Sequence, residues 1–570
     1  MNPVVCFLKT YIPVLLLLVL FSSVVLMCSV PPVSRDALTH HLAVPWLYVQ
    51  RGNIYELPEI IHSYNPQLLD LIYCIPLALG NDIAPKYIHF AFALFTAILL
   101  FLYLKQKLGH FYGWAGAIFF LSLPVIVKLS ITVYVDLGVI FFSTASLMCL
   151  LKWHGKNFQF RWFFLSGIFC GLALSTKYNG LVTCFLLTAS TPFLYLNGSQ
   201  SYPKKIKDGG CTSIFKKKRA LQIKALGYGA GFLFISMTIF SPWMIKNYVW
   251  TKNPVYPLFD TYFNPIPETS VINKSSNPTM NHFLIRKYIY KESWFETATI
   301  PLRIFFQGKD DDPKLFDGKL NPLLFILPFF AFIFHRKTST QDLIQKKALL
   351  IFALLYILIV FLQQDMRIRW MGPAIPPLII LSAFGLKNLF HWVTPEKILI
   401  SEKRFKPSRL KRSVLFVLIL SVASLNAVYI LQLFKKIAPL TYITNQVTRS
   451  EYIEKFRPEF ASLQFANQYL NGDIKLLAFF LGNRRYYSTH DIRFNDALFK
   501  KLVQDSETAK GIVQGLKTQN FTNLIINYPK FNSWADTNFN MAEKNRIQEF
   551  FNQNTKKLFS KDDHGLYQLK

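Results

Sequence analysis

Long apolar runs separated by polar turns fill the chain up to residue 434, and a mixed amphipathic pattern replaces them afterwards. A helix needs about 20 apolar residues to cross a hydrocarbon layer. By that measure about eleven runs qualify: 11–30, 83–104, 114–133, 137–151, 162–176, 180–196, 223–244, 320–334, 347–362, 370–390 and 414–434. Pro124 is expected to kink the third. The run 67–79 is too short and holds Asp70, so it suits a juxtamembrane or re-entrant element. Counted as a span, it would turn Lys105 and Lys107 to the outer side.

The tail 435–570 reads differently. Periodicity predicts helices at 458–470, 508–519 and 540–552, with strands at 474–481, 523–527 and 566–569. The expected fold class is therefore an α-helical polytopic membrane protein with a small C-terminal soluble α/β domain. Its domains are 1–434, with outer loops 31–82 and 246–319, and the extracytoplasmic tail 435–570.

Composition agrees with this division: hydrophobic residues make up 52% of the chain and Phe alone occurs 54 times, far beyond a soluble protein's needs. The formal charge of +31 would suit nucleic acid, but its placement argues against that partner. Lys204, Lys205, Lys207, Lys216, Lys217, Lys218, Arg219 and Lys224 lie between two apolar runs. Lys397, Lys403, Arg404, Lys406, Arg409, Lys411 and Arg412 lie between two others. This is the positive-inside pattern, and it favours membrane lipids as the partner of the charge. It places the N-terminus in the cytoplasm and the tail outside, in a multi-pass protein of the cell (inner) membrane. The first run follows Lys9 as in a signal peptide, but it is span-length and lacks a small-residue cleavage site, so it is expected to remain as a span. Seven cysteines, none after Cys211 and none in a CxxC pair, suggest neither a zinc site nor a disulfide framework.

The candidate chemistry gathers on the outer side. The first outer loop, VSRDALTHHLAVPWLYVQRG at 33–52, places Asp36 four residues before His40, a helical spacing that puts both on one face. Asp136 opens the second outer position. Lys128, Lys177, Lys246, Arg303, Arg367 and Arg369 fall near outer ends of spans. Two carboxylates facing several cations suit removal of a sugar from a phosphate. One acid takes a proton from the acceptor hydroxyl, while cations stabilise charge on the departing phosphate, for which arginine's fork is well shaped. Each residue has a plainer alternative. Asp36 fits a helix N-cap, Asp136 a helix start, and Lys128 and Lys177 snorkelling anchors. Arg367 and Arg369 have Asp365 as a structural partner. His40 and His41 are adjacent and do not alone make a metal pair; Asp36, His40 and His282 are carried as a candidate divalent-cation set. Asp310, Asp311 and Asp312 read as a solvated turn. Nucleotide sugars are largely cytosolic, so an outer-facing transferase needs a membrane-borne donor.

Five stretches resemble bacterial GT-C glycosyltransferases, multi-span enzymes that use polyprenyl-phosphate sugars. They are RDALTHHLAVPWLYVQRG, YVDLGVIFFSTASL, LALSTKYNGLV, MIKNYVWTKNPVYPLF and RIRWMGPAIPPLIIL, in that order across 30–390. Protein O-mannosyltransferases, aminoarabinose transferases of lipid A and lipopolysaccharide-core transferases are the nearest such proteins. The resemblance implies an inverting transfer with Asp36 as base and Asp136 as second carboxylate. It places Lys177, Arg367 and Arg369 near the donor phosphate, and His40, His41, Lys128 and Tyr178 around the acceptor or pocket. His40 departs from the aromatic residue often found there. The donor would be a polyprenyl-phosphate sugar and the acceptor a glycolipid, lipopolysaccharide or protein; no cofactor is assigned, a divalent metal stays an open alternative, and no nucleic acid takes part. The alternative is a transporter or flippase of a lipid-linked sugar. That reading expects repeated halves and mid-membrane charges, which the sequence does not display.

Overall fold

The computed structural model describes residues 3–200, 211–265, 281–333, 339–393 and 409–570. The chain forms two compact units. The first comprises Met1–Cys28, Tyr64–Ile72 and Lys86–Ile437; the second comprises Ser29–Ser63, Tyr73–Pro85 and Ala438–Lys570.

The first unit is helical. Among the described residues, eight helices are long and apolar enough to cross a membrane. The pair His110–Ser122 and Pro124–Ser130, bent by 64°, passes the same test taken together and makes the count nine if it is one broken span. The bend falls where Pro124 enters at the first turn of the second helix, the kink that the sequence predicts. The expected count of about eleven is higher for a local reason. Phe160–Thr176 is only 17 residues long, and the run at 320–334 yields an eight-residue helix, Leu323–Phe330, broken early by Pro328. The two basic loops, Lys204, Lys205, Lys207 and Lys397, Lys403, Arg404, Lys406 among them, lie outside the described residues, as do the side chains of Lys216, Lys217, Arg409, Lys411 and Arg412.

Burial ranks the helices. Asp136–Gly155 is the hub, with 89% of its residues buried, against 22% for Tyr11–Cys28 and 11% for Ser413–Ile443. The outer two present Leu15, Leu16, Val19, Val417, Leu418 and Leu420 outward. In water such faces would be unsatisfied apolar surface; in a bilayer they are solvated. The hub is packed through small hydroxyl residues. Ser143 and Thr183 share a 2.8 Å hydrogen bond, and Ser146 and Ser166 exchange bonds with one another's carbonyls at 2.8 and 2.7 Å. Small polar residues let helices approach closely where no hydrophobic effect drives them together.

The second unit is built on a five-stranded sheet. β1 (Lys475–Phe479), β2 (Asp491–Arg493), β3 (Asn523–Asn527), β4 (Thr555–Lys561) and β5 (His564–Leu569) lie in the order β2-β1-β3-β5-β4. β2, β1 and β3 run parallel, while β5 and β4 are antiparallel. Strands buried on both faces read as continuous apolar runs, and β1 and β3 do so. Leu477, Phe479, Leu524 and Ile526 pack with Phe499, Ile512, Leu516 and Phe550 on one face. Leu476, Ala478 and Ile525 pack with Leu463, Ala466 and Leu566 on the other. The predicted helices and strands of the tail are present, and six elements are added. These are β2, β4 and the helices Pro439–Ile443, Arg449–Phe456, Asp496–Asp505 and Tyr528–Asn538.

The stretches 29–63 and 73–85 are tied to the tail within this unit. Tyr487 donates to the Pro32 carbonyl at 2.7 Å, Arg457 to Val33 at 2.6 Å, and the Arg485 and Tyr486 amides both donate to Leu38 at 3.0 and 3.1 Å. Arg449 pairs with Asp82.

Candidate active site

Asp136 is the best-defined candidate in the first unit. It begins the helix Asp136–Gly155, where a negative charge meets the positive end of the helix dipole. Its side chain is only 5% exposed, and its Oδ1 accepts a 2.8 Å bond from the Lys177 ammonium. Arg369 lies near enough to act on it electrostatically, with its guanidinium 5.0 Å over the Tyr134 ring. The other carboxylate oxygen, Oδ2, is buried with no hydrogen-bond partner among the described residues. A buried acid with one neutralised and one open oxygen is prepared to accept one further donor.

His89 fixes the backbone there. Its Nε2 accepts the Leu137 amide at 3.0 Å, so the ring proton sits on Nδ1, which donates to the Leu129 and Thr132 carbonyls at 3.0 Å each. This satisfies one of the orphan amides at the helix start and ties two neighbouring segments together. His89 escaped the sequence reading. The available signal was an ionisable residue inside the apolar run IHFAFALF. Close approach matters as well: a Cβ at Gly138 would stand 2.7 Å from Leu69.

Lys177 is presented by a tight turn. The Gly180 amide donates to the Lys177 carbonyl at 2.8 Å, and a Cβ at Gly180 would meet the Ala173 backbone at 2.6 Å, so only glycine closes this turn. Tyr178 donates to the Tyr256 carbonyl at 2.8 Å and receives the Asn247 amide at 3.1 Å. Burial pushes the Tyr178 phenol above its ordinary range, outweighing the Asn247 bond, so it remains a donor. Asn247 also donates to the Tyr64 carbonyl at 2.9 Å. The segment KNYVWTKNPVYPLF therefore acts as a brace for the Lys177 turn. Lys246, one residue earlier, lies over the rings of Trp243 and Trp250 at 5.3 and 4.9 Å.

The remaining cations go to other partners. Lys128 reaches Asp310 at 3.8 Å and Asp311 at 3.4 Å, and Lys436 reaches Asp311 at 3.3 Å. Burial alone would raise the Asp311 carboxyl; the two ammonium groups outweigh it and hold it below the usual range. Part of the acidic triplet is thus bound to lysines, where the sequence suggested a solvated turn. Arg367 lies 3.5 Å from Asp317 and 5.2 Å over the Trp370 ring. Asp365 pairs with Arg286 at 2.9 Å, and Arg286 also holds Glu292 at 3.1 Å. Arg303 completes that group by reaching Glu292 at 3.1 Å. Arg286 belongs to no motif legible in the sequence; only packing shows its 1% exposure.

Asp36, His40 and His41 belong to the second unit. Asp36 is half-buried and immediately precedes a π-helical turn, Ala37–His41, closed by the Leu42 amide on the Ala37 carbonyl at 2.9 Å. It occupies the N-cap position but makes no capping hydrogen bond, so the plain capping alternative lacks its defining contact. Such π-turns recur at functional sites. His40 lies between His41 and His62, with ring centroids 4.1 and 4.3 Å away and the rings tilted by 48° and 31°. Among the described residues no group of three or more His, Cys, Asp or Glu is arranged to hold a metal ion. His282 belongs to the first unit, where its ring lies 4.0 Å from that of Phe283, tilted by 42°.

Comparison with known proteins adds to this geometry. Residues 79–243, which contain His89, Asp136, Lys177 and Tyr178, match the PMT family, described as dolichyl-phosphate-mannose-protein mannosyltransferase. ArnT from Cupriavidus metallidurans bound to undecaprenyl phosphate is similar at 13% identity, covering 97% of each chain with a TM-score of 0.52. The apo form of that protein is similar at 12% identity, again covering 97% of each chain, with a TM-score of 0.53. The oligosaccharyltransferase of Archaeoglobus fulgidus is similar at 11% identity over 90% of this chain and 69% of its own, with a TM-score of 0.48. No curated protein sequence matches the chain. The chain is a multi-pass membrane protein that shares its fold with ArnT, and its hub helix lies within the segment that matches the PMT family model.

Proposed function

We propose that this protein is an integral-membrane, inverting glycosyltransferase. It moves a sugar from a polyprenyl-phosphate donor to a glycolipid, lipopolysaccharide or protein acceptor on the outer face of the cell (inner) membrane. The carrying observation is the buried Asp136–Lys177 pair, set at the head of the hub helix inside the mannosyltransferase-family segment. The GT-C fold supports the same reading at the level of architecture.

Asp36 is proposed as the base. It takes the acceptor hydroxyl's proton as the oxygen attacks the sugar's anomeric carbon, and the bond to the donor phosphate breaks from the opposite face. Asp136 is the second functional carboxylate, and Lys177 retains two ammonium donors beyond its bond to Asp136. Together with Arg367 and Arg369, Lys177 is proposed to stabilise charge on the leaving phosphate. His40, His41, Tyr178 and Lys128 are proposed to shape the acceptor side and the pocket.

The test is direct. Purified protein given a polyprenyl-phosphate sugar and an acceptor should release polyprenyl phosphate and form a glycosylated product. Asp36→Asn should lower turnover by at least a hundredfold, within the range of general-base contributions, with expression and thermal midpoint unchanged. Near-normal turnover would falsify the base assignment. Donor translocation without product would identify a flippase instead.

A further inference from the structure

Within the second unit, a cleft of about 470 Å³ opens between two stretches of chain. One wall is the helix Ala43–Arg51 with residues 55–59; the other is the segment 485–493, which runs into the edge strand β2. The lining combines aromatic faces, Trp46, Tyr55 and Tyr486, with the hydrogen-bonding groups of Gln50, Ser488 and His490. Aromatic rings offer an apolar platform for the C–H face of a sugar. A few polar groups around a concave surface then fix orientation.

The charges in the cleft are unevenly used. Arg493 engages two acids at once, with Glu59 2.8 Å from one amino group and Asp491 2.8 Å from its Nε. Arg51 lies at the exposed rim, 4.3 Å over the Tyr55 ring, and Glu56 is exposed beside it. Arg485 differs from both. Its backbone amide is tied to the Leu38 carbonyl at 3.0 Å, which fixes where the side chain starts. Its guanidinium lies 5.3 Å over the Phe494 ring, and its Nε is buried with no hydrogen-bond partner among the described residues. It forms no ion pair among the described residues; Glu59 and Asp491, which act on it from a distance, are both bound by Arg493. Burial holds the Arg485 guanidinium down to about 10, and the attraction of those acids does not offset it. A planar, partly desolvated cation on a cleft wall, with no direct ion pair among the described residues, is shaped to receive a phosphate or carboxylate.

We propose that this cleft binds an anionic saccharide, with its phosphate or carboxylate on Arg485 and its sugar ring against the aromatic wall. Naming that saccharide the head of the transferase's acceptor rests on the function proposed above; the binding itself does not. The shared chemistry is an anionic group on a sugar, carried either by a lipid head or by a soluble sugar phosphate.

The experiment uses the full chain in detergent, without donor, and isothermal titration calorimetry. Four probes are compared: maltose 1-phosphate, the same disaccharide phosphate bearing an acyl chain, maltose as its dephosphorylated form, and inorganic phosphate. The wild type should bind the phosphorylated disaccharide at least tenfold more tightly than either the neutral disaccharide or inorganic phosphate. Tighter binding of the acylated probe identifies a lipid head as the source, and equal binding a soluble one; either supports the cleft. Arg485→Gln should weaken the phosphorylated probe at least tenfold, while Arg485→Lys should recover part of the loss. Ser488→Trp, which fills the cleft from its wall, should weaken it without altering the cation and guards against a misfolded Arg485 variant. Equal affinity for inorganic phosphate and the phosphorylated disaccharide, no binding by wild type, or unchanged binding in Arg485→Gln overturns the proposal. Because no turnover is measured, failure of the transferase reading under Asp36→Asn leaves this result legible by itself.

Discussion

Replacing Lys177 by Met tests whether the Asp136–Lys177 pair is a buried electrostatic unit. The substitution keeps most of the side chain's length and removes an ammonium 2.8 Å from Asp136 Oδ1. What remains is a carboxylate 5% exposed whose second oxygen already lacks a hydrogen bond among the described residues. Removing one partner of a buried pair costs about 3–5 kcal/mol, because the other charge is left desolvated and unmatched. Arg369 compensates part of this, so the lower end, about 3 kcal/mol, is expected. Asp136→Asn acts on the other partner and leaves the ammonium unpaired. Lys177 is 23% exposed on a flexible stem and can reach water, so about 1–2 kcal/mol is expected. The double variant Asp136→Asn with Lys177→Met should cost about as much as Asp136→Asn alone, a coupling of about 3 kcal/mol.

The assay is thermal unfolding of the purified protein at fixed detergent and lipid, followed by intrinsic fluorescence. A polytopic chain does not unfold in two states, so the comparison rests on the order of midpoints. Lys177→Met should be lowest, with the double variant restored to the level of Asp136→Asn. Equal midpoints for the single variants with an additive double variant would refute the reasoning. Turnover cannot replace this readout, since all three variants are expected to lose it.

Two further outcomes follow from the ion pairs of the first unit. Arg286→Met removes a cation held by Glu292 at 3.1 Å and Asp365 at 2.9 Å, but Glu292 keeps Arg303. A loss of about 2–3 kcal/mol is expected, below the full cost of a buried pair, and limited proteolysis within 281–319 should accelerate at least tenfold; unchanged cleavage would show that Arg286 does not hold this segment. Asp311 has a native carboxyl below the usual range, so its contribution is present above about pH 4, the ordinary value, and is lost as pH falls through the lower native value. Asp311→Asn, which tolerates the left-handed φ of 61°, should flatten the acid limb of midpoint against pH, and parallel curves for the two proteins count against the pairing.

Some elements of the tail were illegible for identifiable reasons. β2 has three residues, too few for a period to register. β4 reads TKKLFSK, where the lysines that protect an exposed edge also mask the strand pattern. Tyr528–Asn538 begins with Pro at its first turn, a legitimate helix start that also reads as a turn. Tertiary pairing overrode the local signal in each case.

The sequence by itself determined the class of molecule: apolar run length demands a membrane, the kink at Pro124 follows from a missing amide, and alternation after residue 434 demands a separate α/β core. It also marked Asp36, Asp136 and Lys177 as candidates, because acids and bases are rare beside apolar runs and conspicuous there. Only the tertiary structure decided their partners. Lys177 faces Asp136 across 41 residues, while Lys128 and Arg303, equally eligible by position, are drawn to Asp311 and Glu292. Hydropathy is a local property that a window of residues expresses in full. Which charge neutralises which is set by the polar groups that remain unmatched once segments distant in the chain have packed and withdrawn them, wholly or in part, from water.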